Sequence, residues 1–349
     1  MKRRIGPIGS TVLGLAAALA ISGGVAACGG SSDTSGGSSS SGKSNVTLNL
    51  VAYSTPKHAY DDLTAAFAKT AAGKGVGFAE SFGPSGSQSR AVASGQPADV
   101  VAFSTTPDIT RLVKAGLVSA NWDANPYKGI VSDSTVVLVV RKGNPKHITG
   151  WDDLVKPGVS VITPNPSTSG SARWNIMAAY GAELKEGKSP SQALAFVKTL
   201  IEKHVSVEDT SGSTALQTFL SGKGDVLISY ESEAISAVKA GDAVQYIIPK
   251  QTILIQTPIA VTTKAPKQAK TFVNWLWSTA AQTIWAEKGY RPVVPSVAAK
   301  FASKYPTPPQ LFTINSLGGW TAVTSKFFAP STGLITKIEQ AAGFPTASS

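Results

Sequence analysis

Strand-like and helix-like segments alternate along the chain from about residue 47, and this order restricts the fold more than any other feature. The runs VTLNLVAY, VGFAES, ADVVAFS, STVVLVVRK, GVSVIT, GDVLISY and TPIAVTT are short, apolar and rich in β-branched residues. Between them lie stretches with helical apolar spacing: AYDDLTAAFAKTAAG, SGSQSRAVASG, DITRLVKAG, ARWNIMAAYGAELKEG, SPSQALAFVKTLIEKH, STALQTFLSG, SEAISAVKAG and PKQAKTFVNWLWSTAAQTIWAEKG. Most of these stretches end in glycine, as a helix leaving through a left-handed residue does. Parallel strands need a crossover long enough to hold a helix, so the alternation predicts an α/β fold with mixed, mostly parallel sheets and helices on both faces. At 349 residues the chain exceeds what one hydrophobic core usually supports, which predicts two lobes. From about Tyr290 the alternation thins, and proline, glycine and aromatic residues predict a tail wrapped on an existing lobe.

The N-terminus has a different character. Lys2, Arg3 and Arg4 precede a short apolar run that ends in the small residues of GGVAAC, the pattern of an export signal. Val25-Ala26-Ala27-Cys28 resembles the lipobox of bacterial lipoproteins, a resemblance that implies lipidation of Cys28, the chain's sole cysteine. A stray or core cysteine behind an ordinary signal is the plainer alternative, and no disulfide can form within the chain. Residues 29–44, GGSSDTSGGSSSSGKS, have the composition of a flexible tether. Within them GSSSSGKS satisfies the phosphate-loop pattern literally. It lacks the preceding strand and following helix that would bring a phosphate onto a helix N-terminus, so the match is read as chance.

The net charge of +11 includes three charges that leave with the signal. Anionic ligands, anionic lipid and nucleic acid all suit a basic protein, but no stripe of basic residues interleaved with aromatics supports nucleic acid. His58, His147 and His204 stand far apart, so no metal site is expected. GPSGS at 83–87 has Ser87 where a nucleophile elbow needs glycine. The pairs Asp61/Asp62 and Asp152/Asp153 fall at helix starts, where acids complement the helix dipole. No cofactor is implied. The inventory favours a binding protein over an enzyme.

Three loops share one chemistry: GPSGSQSRAV (83–92), PSTSGSARW (166–174) and DTSGSTALQTF (209–219). Each follows a strand-like run, exposes backbone through Ser, Thr and Gly, and enters a helix whose N-terminus carries about half a positive charge. Three such ends could hold one tetrahedral oxyanion, although the same residues are also ordinary N-cap signals. A sulfate dianion carries no proton and suits donors alone, whereas phosphate rewards an acceptor. The Ser/Gly cores of the loops contain no acid, with Asp209 flanking the third. Arg90 and Arg173, just inside two of the helices, are expected to act at longer range or in structural ion pairs.

With these loops in view, the chain resembles the sulfate-binding proteins of ATP-driven importers. The resemblance runs over most of residues 47–340 and rests on RKGNPKHITGWDDLVKPGVSVITPNPSTSGSARWN (141–175), PSGSQSRAV, GDVLISYESEA (224–234) and GYRPVVP with the later GGW. It implies a two-lobed periplasmic-binding-protein-like fold of type II with a hinge between the lobes. By position it implies ligand contacts from Ser54, Ser85, Ser169, Gly170, Ser171, Gly212 and Tyr230, with Ser85 donating through both hydroxyl and amide. Tyr230 stands where the family has tryptophan, Ser54 where it has aspartate, and Ser171 where it has glycine. These departures leave thiosulfate or another tetrahedral dianion such as molybdate beside sulfate.

The expected layout is a signal peptide at 1–27, lipidated cysteine and tether at 28–46, a first lobe of 47–133 with 260–349, and a second lobe of 134–259. The resemblance implies a monomeric extracytoplasmic receptor, anchored to the membrane by lipid, that delivers its anion to an importer permease. A secreted sulfatase or phosphatase is one rival, and an adhesion or sensor lipoprotein that has lost the ligand is another.

Overall fold

The protein is described here by a computed structural model covering residues 46–346. The signal, Cys28 and the tether therefore lie outside the described residues. The first part of the chain forms β1 (Val46–Tyr53), α1 (Lys57–Ala68), β2 (Val76–Gly83), α2 (Ser85–Ala93), β3 (Val100–Ala102), α3 (Thr106–Lys114) and β4 (Ile130–Arg141). Then come β5 (Val161–Pro164), α4 (Gly170–Lys185), α5 (Pro190–Lys203), β6 (Val205–Asp209), α6 (Gly212–Leu220), β7 (Val226–Tyr230), α7 (Glu231–Ala240), β8 (Val244–Ile247) and β9 (Gln251–Val261). The C-terminal part holds α8 (Lys267–Trp275), α9 (Thr279–Glu287), α10 (Pro295–Lys300), β10 (Gln310–Phe312), α11 (Gly319–Phe327) and α12 (Leu334–Ala342).

The strands follow the order β2-β1-β3-β9-β4-β7-β5-β6, with β10 beside β9 and β8 beside β4. Parallel pairing joins β2, β1 and β3 at one end and β7, β5 and β6 at the other. Two long strands connect these blocks. The start of β4, from Ile130 to Thr135, pairs antiparallel with Leu254–Pro258 of β9, and its later residues Val136–Val140 pair with β7. In the other direction β9 continues to Ile259–Val261, which pair with β3. β9 thus joins the β3 block, β4 joins the β7 block, and their mutual pairing links the two, which gives the type II two-lobed arrangement its paired crossing.

One core gathers Leu48, Leu50, Tyr60, Phe67, Phe272 and Trp285 under the β1 block. Another surrounds α4, whose residues from Gly170 to Lys185 are buried on nearly every side, as expected of a helix apolar all round. Trp174 meets Trp320 edge-on at 4.7 Å between ring centres, and Tyr180 meets Phe327 at 4.9 Å. Gly181 makes the approach of β10 possible, because a Cβ there would sit 2.3 Å from the Phe312 ring.

One expectation needs correction. The run at 266–289 forms two helices, α8 and α9, because Ser278 caps α9 by accepting from the Ala281 amide at 3.2 Å. The indole of Trp277 in the break is anchored on the Ile130 carbonyl at 2.8 Å. The tail wraps a core shared with α4 and α5. Phe312, Trp320, Val323, Phe327, Ile335 and Ile338 share the core of α4 and α5, since their aromatic and aliphatic faces are what cover α4.

Burial also creates a proton-sensitive contact on α12. Glu339 and Glu208 of β6 lie within hydrogen-bonding reach of each other, and Asn165 Nδ2 donates to Glu208 at 2.6 Å. Desolvation raises both carboxyls above the usual range, and the charge of Glu339 raises Glu208 further. The folded protein thus keeps protons that unfolded glutamates release near about 4.3, so the pair's contribution is complete below that range and is lost as pH rises through the raised values. Urea midpoints measured over roughly pH 5 to 9 are expected to fall with rising pH, and Glu339→Gln is expected to flatten the decline. An unchanged slope in the variant excludes this pair as the cause.

Candidate anion-binding site

The candidate residues all lie at or just beyond the carboxyl ends of strands, where open α/β sheets place their ligands. Ser54 follows β1, Tyr230 ends β7, and Ser85, Gly170 and Gly212 each open a helix, α2, α4 and α6 respectively. Proline 84 and the extended Ser169 and Ser211 precede these helices, so the chain turns sharply and leaves the first-turn amides free of intrahelical partners.

A fourth loop, Ser104–Thr105 after β3, connects them. The Ser104 amide donates to Ser85 Oγ at 2.9 Å, its hydroxyl is hydrogen-bonded to the Tyr230 hydroxyl at 2.7 Å, and its carbonyl accepts from the Trp174 indole at 2.8 Å. A Cβ on Gly170 would fall 2.7 Å from Ser104 Cβ, so α4 begins in direct contact with this loop. Ser169 and Ser171 are joined by their hydroxyls at 3.0 Å. Gly212 adjoins Ser171, with 3.0 Å from the position of its missing Cβ to Ser171 Oγ. The same point lies 3.3 Å from Thr55 Oγ1, and Ser213 donates to Ser54 Oγ at 3.1 Å. All seven sequence-derived residues thus belong to one connected set, and Ser85, Ser169, Ser171 and Tyr230 within it are buried.

The electrostatics combine oriented dipoles with two buried carboxyls. Asp108, at the start of α3, accepts from Ser85 Oγ at 2.7 Å, Thr105 Oγ1 at 3.0 Å and Arg111 Nη1 at 3.0 Å. The Ser85 hydroxyl, expected to donate to a ligand, is therefore committed to Asp108, which leaves its amide for that role. Glu233 of α7 accepts from Ser229 at 2.7 Å, Thr55 at 3.3 Å and Ser213 at 3.4 Å, and its Oε2 lies 3.1 Å from the Cβ position of Gly212. Burial pushes the Glu233 carboxyl up, while those three hydroxyls hold it down. The Tyr230 hydroxyl is likewise held well above its usual range by desolvation.

Ser104, Asp108 and Glu233 were not singled out in the sequence. The stretch FSTTPD has the same strand-to-helix form as the three loops, with Ser/Thr/Pro in place of glycine, and that similarity was the available signal. Glu233 gave less, since an acid in the first turn of a helix is ordinary.

Arg90 and Arg173 form no ion pair among the described residues. They bind loop carbonyls instead: Arg90 Nη1 donates to Ser167 at 3.4 Å, and Arg173 Nε donates to Pro166 at 3.0 Å. A fixed C=O near each helix start attracts the guanidinium without a carboxylate, so of the two expected roles the structural ion pair is not formed among the described residues.

One carboxylate group among the described residues has metal-like geometry, formed by Asp152, Glu183 and Glu186. The Lys188 ammonium already sits there, 3.6, 2.7 and 3.7 Å from the three. No helix among the described residues is long and apolar enough to cross a membrane.

Residues 48–291 match the family described as bacterial extracellular solute-binding protein. A sulfate-binding protein of Synechococcus elongatus is 40% identical over 307 residues, 85% of this chain and 87% of its own. A thiosulfate-binding protein of Pseudomonas aeruginosa is 35% identical, over 80% of this chain and 88% of its own. Among solved structures, the sulfate-binding protein SubI of Mycobacterium tuberculosis superposes with a TM-score of 0.80 at 46% identity, covering 82% of this chain and all of that one.

Proposed function

Because the chain belongs to the bacterial extracellular solute-binding proteins, and to the sulfate-binding group within them, we propose that it captures sulfate outside the cytoplasm and delivers it to an ATP-driven import permease. The observation that carries the reading is the meeting of three helix N-termini, at Ser85, Gly170 and Gly212, around Ser104 and Ser171. The amides of Ser85, Gly170, Ser171 and Gly212 would donate to the ion, with Tyr230, Ser169 and Ser54 closing its sides. Each donor to a charged group is worth about 1.5–3 kcal/mol, so several together offset the desolvation of a dianion without a formal positive charge in contact.

In this reading one lobe comprises the β1 block with α8 and α9. The second comprises the β5 block with the C-terminal helices, and the packing of Trp320 and Phe327 on α4 supports that division. The lobes close by a hinge movement on the β4/β9 crossing. Cys28 would carry a lipid anchor. The protein acts as a binding protein and not as an enzyme.

The test is calorimetric titration of the purified protein with sulfate, thiosulfate and molybdate. Sulfate is expected to bind, and thiosulfate to compete for the same site. Failure of all three to bind overturns the proposal, while preference for molybdate reassigns the ligand.

Glu233 gives this site a pH dependence. Its raised carboxyl stays neutral at low pH, and its ionisation at higher pH places a negative charge beside Gly212. Sulfate affinity is expected to weaken as pH rises through that ionisation, and Glu233→Gln is expected to remove the trend. Parallel pH slopes in the two proteins would contradict it.

A further inference from the structure

A separate cavity of about 700 Å³ lies against α2, α3, α4, α11 and α12. Arg90, Arg111, Lys114 and Arg173 line it together with Trp320 and Phe328, and none of Ser54, Ser85, Ser169, Gly170, Ser171, Gly212 and Tyr230 does. The volume is that of a small-molecule site, and an inorganic oxyanion would leave most of it unfilled.

Its charges are poorly balanced. Asp108 neutralises Arg111, with Nη1 at 3.0 Å, and that carboxylate also holds Ser85 and Thr105. Lys114 has no ion pair among the described residues. Arg90 and Arg173 have only neutral oxygen partners, and the Nη1 and Nη2 groups of Arg173 make no hydrogen bond among the described residues. Burial lowers the Arg173 guanidinium from its usual value, and the charges of Arg111 and Arg90 add to this while Asp108 opposes it. The acid that faces the cavity, Glu339, is the one burial keeps above the usual carboxylate range. Aromatic rings lie beside these cations: the Arg173 guanidinium sits over the Phe328 ring at 5.1 Å, and Trp320 also lines the cavity.

Two guanidiniums without a carboxylate partner, next to aromatic rings in the same lining, describe an amphiphilic occupant. We propose that this cavity binds a small organic anion with one anionic head and an aromatic body, the class of arylsulfonates and arylcarboxylates, independently of the inorganic anion site. The head sits among Arg90, Lys114 and Arg173, and the body lies on Trp320 and Phe328.

The probe is naphthalene-2-sulfonate, titrated calorimetrically into the purified protein already saturated with sulfate. One binding site is expected, with uncharged 2-naphthol at least about tenfold weaker. Ser325→Trp and Thr110→Trp fill the cavity from the exposed sides of α11 and α3, and each is expected to weaken the sulfonate by about tenfold or more while sulfate still binds. Lys114→Gln is expected to weaken it several-fold and to reduce its salt dependence. Any of four results overturns the proposal: no binding of the sulfonate, its displacement by inorganic sulfate, equal affinity for 2-naphthol, or full affinity in both tryptophan variants.

Discussion

Gly170→Val is expected to reduce sulfate binding by about a hundredfold or more, because it misdirects two charge-assisted donors worth about 1.5–3 kcal/mol each. A Cβ at this position would meet Ser104 Cβ at 2.7 Å and Ser104 Oγ at 2.8 Å. Ser104 has little room to yield, since its amide, hydroxyl and carbonyl are bound to Ser85, Tyr230 and Trp174. The start of α4 must then move, carrying the amides of Gly170 and Ser171 with it. Calorimetry with sulfate reads the effect, and circular dichroism checks that the fold persists. Unchanged affinity in a folded variant would remove this helix from the site.

Arg291→Met is expected to destabilise the protein by about 3–5 kcal/mol, the usual cost of leaving a buried charge without its partner. Arg291 Nε and Nη2 grip Glu231 at 2.6 and 2.9 Å, and the same guanidinium donates to the carbonyls of Tyr305 at 3.2 Å and Pro306 at 3.0 Å. Its backbone pairs with Asp133 on β4 through two hydrogen bonds of 2.8 and 2.9 Å. One residue therefore ties the start of α7, the crossing strand and the 305–306 loop together. Urea unfolding of the variant reads the loss. Adding Glu231→Leu to Arg291→Met is expected to recover part of it, because the orphaned carboxylate is gone. A single-variant loss below about 1 kcal/mol would show that water replaces the guanidinium at low cost.

The alternation of strands and helices was legible because each segment's own periodicity reports which face it buries. The three loops were legible because one Ser/Thr/Gly chemistry recurs at three helix starts, although each taken alone is an ordinary N-cap signal. Less visible were contacts whose meaning depends on a distant partner. Ser104 reads as a loop serine until Tyr230 and Gly170 are brought to it. Glu231 and Arg291 stand 60 residues apart and carry no local sign that they pair. Two strands, β8 and β10, went unread, since VQYI and QLF are too short or too polar to show a period. The break at Ser278 was hidden by helical spacing on both sides, and an N-cap within an apolar run outweighed that spacing.

The crossing of β4 and β9 has a mechanical consequence. The two strands are bonded to each other from Ile130 to Thr135 against Leu254 to Pro258, and Ser132 is joined to Thr257 through their hydroxyls at 2.8 Å. Sliding one strand past the other breaks this ladder, whereas torsion along its length keeps every rung. The ribbon therefore resists sliding and yields first to torsion, which is the direction the proposed lobe closure would use. Under that proposal, a single pair of fluorophores, one on each lobe, is expected to follow the closure on adding sulfate.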